Sequence, residues 1–279
     1  MKSIPRSFPA GVIEGFYGKP WADAERLTVF RWLRDSGLNT YVYAPKDDLK
    51  HRVAWRELYS PSEAQRMAAL IRACHKYRLA FCYAIAPGLD IRFSLRADWA
   101  ALTRKLAQLA SLHVASFALL FDDIPPQLAR PDLRRFGTAA AAQAWLANAL
   151  LRWLRQDFAG ADLFFCPTVY CGAMARPDVA SSEYLRELGR QLMPDIKVFW
   201  TGPEIVSGTI QVESIRKLAV ALQRRPVLWD NLYANDYDMR RLHMGPYAGR
   251  PEALQAEVAG ILVNPNCQCA VNWVPVRSF

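Results

Sequence analysis

The segment SFALLFDDIPP, residues 116–126, contains an apolar run that ends on two adjacent carboxyl groups. Its first six residues are typical of a buried strand. Asp122 and Asp123 follow directly, and then come Ile124 and two prolines. Like charges side by side repel, and neither acid has an obvious partner nearby in the sequence. Such a pair at the end of a buried strand therefore requires an explanation from the rest of the chain.

Seven further apolar, β-branched or aromatic runs resemble this strand and recur along the chain. They cover residues 11–17, 40–45, 80–87, 162–170, 197–203, 226–231 and 260–264. Stretches with helical periodicity lie between them, and this alternation indicates a parallel sheet with helices outside. Eight strands in a chain of this length predict an α/β fold of the TIM (β/α)8 barrel type. The competing doubly wound open sheet is less well supported, because the glycine-rich dinucleotide turn is missing.

The helix candidates cover residues 22–37, 60–77, 181–192 and 212–223. Gly37 ends the first of them, and Ser60 and Pro61 form a favourable start for the second. The last helix has to come from residues 269–279 and is interrupted by Pro275, so we expect it to be short or truncated. We expect residues 1–279 to form one barrel domain.

Composition limits the classes of protein to which the chain can belong. The six cysteines form no CxxC pair and the four histidines are scattered, which argues against a structural zinc site. Cysteines this sparse in a chain of 279 residues favour free thiols in a reducing compartment. The N-terminus has no apolar core of a secretory signal, and no run of about 20 apolar residues predicts a membrane span. We therefore expect a cytoplasmic location and no membrane partner.

The formal net charge is +9, but the arginines are spread along helix-like segments. This spread favours a generally basic surface over a nucleic-acid site. The sequence leaves the oligomeric state open.

Polar side chains follow the predicted strands, at the barrel face where TIM-barrel active sites lie. Glu14, Lys46, Asp90 and Tyr170 lie at or just after the ends of four of these strands, and the seventh runs into the segment WDNLYANDYD, residues 229–238. Aromatic faces suit the C–H patches of a sugar ring, and carboxylate and amide groups suit its hydroxyls. The pattern thus indicates a carbohydrate-active barrel.

Eight motifs in order resemble the catalytic domain of glycoside hydrolase family 84, the O-GlcNAcases and related β-N-acetylglucosaminidases. They are GVIEGFYGKPW from residue 11, NTYVYAPKDDLKHRVAWRELYS from 39, YAIAPGLDIRFS from 83, FALLFDDI from 117, FCPTVYCG from 165, WTGP from 200, WDNLYANDYD from 229 and NPNC from 264. The resemblance implies a TIM barrel that hydrolyses terminal β-linked N-acetylglucosamine with retention of configuration. It implies no metal and no organic cofactor, and an N-acetylglucosaminylated protein or glycan as substrate.

The resemblance also explains the two adjacent acids. In substrate-assisted catalysis, the acetamido oxygen of the sugar attacks the anomeric carbon, so the enzyme supplies one acid and one polarising carboxylate. Family resemblance makes Asp122 the acetamido-polarising residue and Asp123 the general acid/base. Because close carboxyl groups do not both ionise easily, we expect one of the two to keep its proton near neutral pH.

The remaining site residues are likewise implied by the resemblance. The substrate-binding positions are Gly15, Lys46, Tyr170, Trp229, Asn231, Asp236 and Asn264. Cys166 is a further candidate for the acetyl pocket, and Asp238 is less certain. More ordinary roles exist for several of them: Lys46 could pair with Asp47 or Asp48 at the surface, and Trp229 could be simple core.

Val169 departs from the family pattern, in which we expect an acidic residue at this position. If the strand continues, Val169 points away from Tyr170, so the departure concerns substrate preference more than catalysis.

Two alternative functions stay open at this stage. One is a sugar-binding module that has lost turnover, against which the intact Asp122 and Asp123 argue. The other is a hyaluronidase-like polysaccharide hydrolase, which the positive charge permits. A pocket closed around one terminal sugar by Asp236 and Asn264 argues against cleavage inside a polymer.

Overall fold

The computed structural model describes residues 8–125 and 127–279. Residues 1–7, on which part of the expectation about a secretory signal rests, and Pro126 of the opening segment lie outside the described residues. Eight parallel strands close into a barrel in sequence order, which confirms the predicted (β/α)8 fold. The strands are β1 (Ala10–Glu14), β2 (Thr40–Tyr43), β3 (Ala80–Ile85), β4 (Ser116–Leu120), β5 (Asp162–Cys166), β6 (Lys197–Trp200), β7 (Val227–Asp230) and β8 (Gly260–Val263).

Helices follow the strands along the chain. They are α1 (Asp23–Asp35), α2 (Pro61–Lys76), α3 (Arg96–Ser111), α4 (Arg130–Phe136), α5 (Ala139–Asp157), α6 (Glu183–Gln191), α7 (Val212–Leu222) and α8 (Trp273–Ser278). Between β7 and β8 the regular helix is replaced by a 3₁₀ helix, Glu252–Glu257. The predicted short last helix is confirmed: α8 has six residues and contains Pro275. The described part of the chain contains no helix long and apolar enough to cross a membrane.

Local signals set the helix ends where the sequence predicts them. Ser60 Oγ accepts the backbone N–H of Glu63 at 3.4 Å, and the Glu63 carboxylate accepts the N–H of Ser60 at 2.7 Å. This reciprocal cap, with Pro61 as the first helical residue, begins α2. Gly37 follows α1 with a φ of 75°, a conformation that glycine adopts without a steric cost.

Side chains alternate between the two faces of the barrel wall. Ile13, Val42, Leu120 and Leu262 pack in the barrel interior as one buried cluster. Neighbours on the same strands, such as Val12, Tyr41, Leu119 and Ile261, belong to a second, larger cluster between the strands and the surrounding helices. This two-layer core follows because successive side chains of a strand point to opposite faces. Where the alternation continues beyond the end of a strand, every second residue points into the mouth of the barrel.

Candidate active site

Five of the predicted site residues continue the inward alternation of their strands. The residue two positions earlier is buried in the barrel interior in each case. The pairs are Ile13 with Gly15, Ala44 with Lys46, Leu120 with Asp122, Trp229 with Asn231, and Leu262 with Asn264. Strand periodicity thus brings these five residues together at the C-terminal mouth of the barrel.

Asp123 reaches the same mouth by a different route. Simple alternation would turn it outward, because its neighbour Asp122 points inward. Asp123 instead has a φ of 52°, in the left-handed region that residues other than glycine rarely occupy. The turn of the backbone places two consecutive carboxyl groups in one cavity, and such strain is characteristic of functional positions.

The cavity at the barrel mouth has a volume of about 490 Å³. It is lined by all nine predicted catalytic and substrate-binding residues: Gly15, Lys46, Asp122, Asp123, Tyr170, Trp229, Asn231, Asp236 and Asn264. Cys166 lines it as well. Asp238 does not line it, and instead forms ion pairs with Arg240 and Arg241.

Lys46 and Asp122 form an ion pair inside this cavity. Lys46 Nζ donates to Asp122 Oδ2, and the two side chains are 2% and 8% exposed. Lys46 is therefore buried with Asp122 and is not part of a surface ion pair with Asp47 or Asp48. The other oxygen of Asp122, Oδ1, is buried and has no hydrogen-bond partner among the described residues. An unpartnered buried acceptor is costly unless something occupies it during function.

Asp123 accepts hydrogen bonds from two tyrosines. Tyr170 donates its hydroxyl to Oδ1 and Tyr17 donates its hydroxyl to Oδ2, both at 2.7 Å. Burial raises the pKa of the Asp123 carboxyl, but these hydrogen bonds, with Lys46 and Arg52 nearby, hold the pKa below its usual value. The donors and cations around Asp123 thus oppose retention of its proton, and the expectation that one of the two adjacent acids keeps a proton stays a prediction.

A chain of amide hydrogen bonds fixes one wall of the cavity. Asn264 Oδ1 accepts the N–H of Gly15 at 3.3 Å, and its Nδ2 donates to Asn231 Oδ1 at 2.9 Å. Asn231 then donates to the carbonyl of Ile205 at 2.7 Å, which holds the loop after β6. At the rim, Asp236 accepts the backbone N–H of Tyr17 at 2.9 Å.

Gly15 is required for the close approach of the indole. A Cβ atom built at Gly15 would lie 2.4 Å from Cζ2 of Trp229, far inside van der Waals contact. Trp229 is buried and packs edge-on against Phe199, so it has little room to withdraw. The glycine and the tryptophan thus shape the cavity together.

Six further lining residues were not assigned from the sequence. They are Tyr17, Thr201, Ile205, Val206, Ala234 and Tyr237. Thr201 follows the inward residue Phe199 by two positions, so strand periodicity could have found it. Ile205, Val206 and Tyr237 are exposed apolar residues in loops and carry no periodic signal.

Val169 lies on the other side of the barrel wall from Tyr170. Val169 packs, partly buried, against the cluster between strands and helices, whereas Tyr170 belongs to the barrel interior. The strand ends at Cys166, yet the opposite orientation of the two side chains is kept. Val169 is thus not among the residues that line the cavity.

Across residues 8–125 and 127–279, no cluster of three or more His, Cys, Asp or Glu side chains is arranged to hold a metal ion. The cavity instead offers carboxylates, amides, phenols and an indole, which suits a small polar ring with apolar faces.

Comparison with known proteins agrees with this geometry. The profile of the β-N-acetylglucosaminidase family matches residues 10–279. The chain belongs to this family. It is 46% identical to the Protein O-GlcNAcase of Mus musculus over 274 residues, and equally similar to that of Rattus norvegicus. A solved mutant of the O-GlcNAc hydrolase of Thermobaculum terrenum superimposes with a TM-score of 0.91 at 37% identity.

The matches cover nearly all of this chain but only part of each relative. The alignment covers 98% of this chain and 30% of each rodent protein. The bacterial structure covers 96% of this chain, which in turn covers 57% of that structure. The chain thus spans less than a third of the length of the curated relatives that it matches, and the matched part of each is the region that aligns with this barrel.

Proposed function

We propose that the chain is a retaining β-N-acetylglucosaminidase that removes terminal β-linked N-acetylglucosamine by substrate-assisted catalysis. The substrate that fits best is O-linked N-acetylglucosamine on serine or threonine of proteins, the activity named for its rodent and bacterial relatives. Family membership and a cavity lined by the nine residues support this proposal.

The observation that carries the proposal is the unpartnered Oδ1 of Asp122. Lys46 occupies Oδ2 of the same carboxylate and holds it in place. An acetamido N–H would supply the missing donor and would bring the acetamido oxygen towards the anomeric carbon. A charged acceptor also stabilises the positive charge that develops on the acetamido group as its oxygen attacks.

Asp123 serves as the general acid and base in this scheme. As the acetamido oxygen bonds to C1, the bond from C1 to the leaving oxygen breaks and that oxygen takes a proton from Asp123. The resulting carboxylate then removes a proton from water, whose oxygen attacks C1 and reopens the oxazoline-like ring. Two displacements at C1 retain the configuration. Entry of the substrate excludes water from Asp123, which favours the protonated form.

The remaining lining residues are proposed to bind the sugar. Asp236 and Asn264 would hold the distal hydroxyls, with Lys46 and the carbonyl of Gly15 on the same side of the ring. Trp229 and Asn231 would enclose the acetamido group, and Tyr170 would position it. A carboxylate and an amide that close one end of the cavity suit a terminal sugar better than the interior of a polymer.

We further propose that the chain works as one catalytic domain in a reducing, cytoplasmic compartment. The closed barrel and the family match from residue 10 to 279 support the first point. Six cysteines without a disulfide, five of them buried, support the second.

The test is release of 4-methylumbelliferone from its N-acetyl-β-glucosaminide by the protein and by the Asp123→Asn and Asp122→Asn variants. The proposal predicts turnover by the native chain and losses of roughly 10²–10⁴-fold in the Asp123 variant. Binding of N-acetylglucosamine without turnover by the native chain would refute the hydrolase and favour a sugar-binding module. Release of oligomers instead of the monosaccharide from hyaluronan would favour the polysaccharide hydrolase.

A further inference from the structure

Arg52 lies behind two lining residues of the cavity without lining it itself. Its Nη1 donates to the hydroxyl of Tyr17 at 2.8 Å, and its Nη2 donates to the backbone carbonyl of Asp123 at 3.3 Å. Its guanidinium carbon lies 5.2 Å from the centre of the Tyr17 ring. Within the described part of the chain, Arg52 forms no ion pair with a carboxylate, so the cation is not used in an ordinary surface salt bridge.

The two contacts of Arg52 converge on the same residue. The Tyr17 hydroxyl accepts from Arg52 and itself donates to Oδ2 of Asp123 at 2.7 Å, so it links the two residues. Arg52 therefore holds the Asp123 backbone directly and the Asp123 carboxyl group through Tyr17. The backbone it holds is the strained one, with a φ of 52°. Such a conformation persists where surrounding contacts fix it.

The shape of the guanidinium matters for this double contact. Its planar fork presents two nitrogens at a fixed spacing, so one side chain reaches a hydroxyl and a carbonyl together. A lysine ammonium carries the same charge at one point and has no such fork. The contact thus selects arginine by geometry as well as by charge.

We propose that Arg52 is a positioning residue for the general acid, which aims the proton of Asp123 at the leaving oxygen of the aglycone. This inference rests on the proposed function, in which Asp123 is the acid. Arg52 touches neither the sugar nor the reacting atoms, and its effect passes through Asp123 and Tyr17. Its substitution should therefore leave sugar binding and attack by the acetamido group intact.

Leaving-group chemistry separates this role from a general structural one. A strongly acidic phenol departs as its anion without a proton, whereas a weakly acidic phenol or an alcohol needs one from Asp123. Misplacement of the acid therefore slows substrates with poor leaving groups and spares those with good ones. A loosened cavity would slow both alike.

The experiment compares kcat/KM for the 2,4-dinitrophenyl, 4-methylumbelliferyl and phenyl N-acetyl-β-glucosaminides in the native protein, Arg52→Gln and Arg52→Lys. For the phenyl substrate we expect a loss on the order of 10²-fold in both variants, the lower end for general-acid catalysis. For the dinitrophenyl substrate we expect less than about a threefold change, because proton transfer contributes little there. Arg216→Gln is the matched control, because Arg216 is exposed and pairs with Glu257 on the helical surface.

Every outcome of this comparison either supports or overturns the positioning role of Arg52. Equal losses on all three substrates, or no loss on the phenyl substrate, would overturn the positioning role. Full activity of Arg52→Lys would also overturn it, because charge alone would then suffice. A native protein inactive on all three substrates would overturn the proposed function together with this inference, whereas an active native protein with unselective variants would overturn the inference alone.

Discussion

Replacement of Lys46 by methionine tests the buried ion pair at the centre of the site. Lys46 and Asp122 are 2% and 8% exposed, so neither charge is solvated by water in the folded protein. Methionine keeps the apolar stem of the side chain but removes the ammonium group. Asp122 would then be a buried carboxylate without its cation, and breaking a buried pair in this way costs about 3–5 kcal/mol.

The expected loss of stability is larger than the loss on breaking an exposed ion pair, so the two can be told apart. Each kcal/mol shifts Tm by roughly 2–4 °C in domains of about 150–250 residues, so we expect Lys46→Met to lower Tm by roughly 6–20 °C. The control is Lys50→Met, because Lys50 pairs with Glu63, whose side chain is 43% exposed. An exposed pair contributes about 0–1 kcal/mol.

Urea unfolding followed by tryptophan fluorescence measures both variants. The double variant Lys46→Met with Asp122→Asn completes a cycle, and we expect it to be more stable than the sum of the single changes predicts, by about 0.5–3 kcal/mol. A Lys46→Met protein within 1 kcal/mol of the native protein, and no less stable than Lys50→Met, would refute the reasoning about burial.

Three further predictions concern the cavity and its surroundings. Tyr17→Phe removes a hydrogen-bond donor that lowers the pKa of Asp123, so we expect this pKa to rise. The alkaline limb of the pH profile of kcat/KM, where the acid loses its proton, should then move to higher pH. An unmoved alkaline limb would contradict this prediction. In Gly15→Ala the new Cβ atom would lie 2.4 Å from the indole of Trp229 and would force it to shift, so we expect roughly 1–3 kcal/mol of destabilisation and a raised KM. Native stability and a native KM would show that the indole has room to move. Val169→Glu changes a residue outside the barrel interior, so kcat/KM for an aryl substrate should stay within about threefold; a larger loss would show that this position communicates with the site.

The strand pattern explains why so much of the site was predictable. Once β4 is read as a strand with Leu120 inward, Asp122 must point into the barrel, and the same holds for Lys46 after Ala44. Periodicity along strands is a local property of the sequence, and barrel closure converts it into a shared location. The resemblance to family 84 then supplied the roles of these residues.

Other features depend on the three-dimensional arrangement and could not be predicted in this way. The left-handed backbone of Asp123 reverses the face that strand periodicity gives it. Lys46 and Asp122 are 76 residues apart, so their pairing follows from barrel closure and not from neighbouring charges. Tyr17 follows β1 in the sequence, but its hydroxyl contact with Asp123 joins loops 106 residues apart.

The claim that the acetamido group of the substrate is the nucleophile, held by Asp122, is tested most directly with a series of substrates. The 4-methylumbelliferyl glycosides of N-acetyl-, N-fluoroacetyl-, N-difluoroacetyl- and N-trifluoroacetylglucosamine differ in the electron density on the attacking carbonyl oxygen. If this oxygen forms the bond to C1, kcat/KM of the native protein falls steeply and steadily with each fluorine. A kcat/KM that stays constant across the series would contradict substrate assistance and would require an enzyme carboxylate to attack instead.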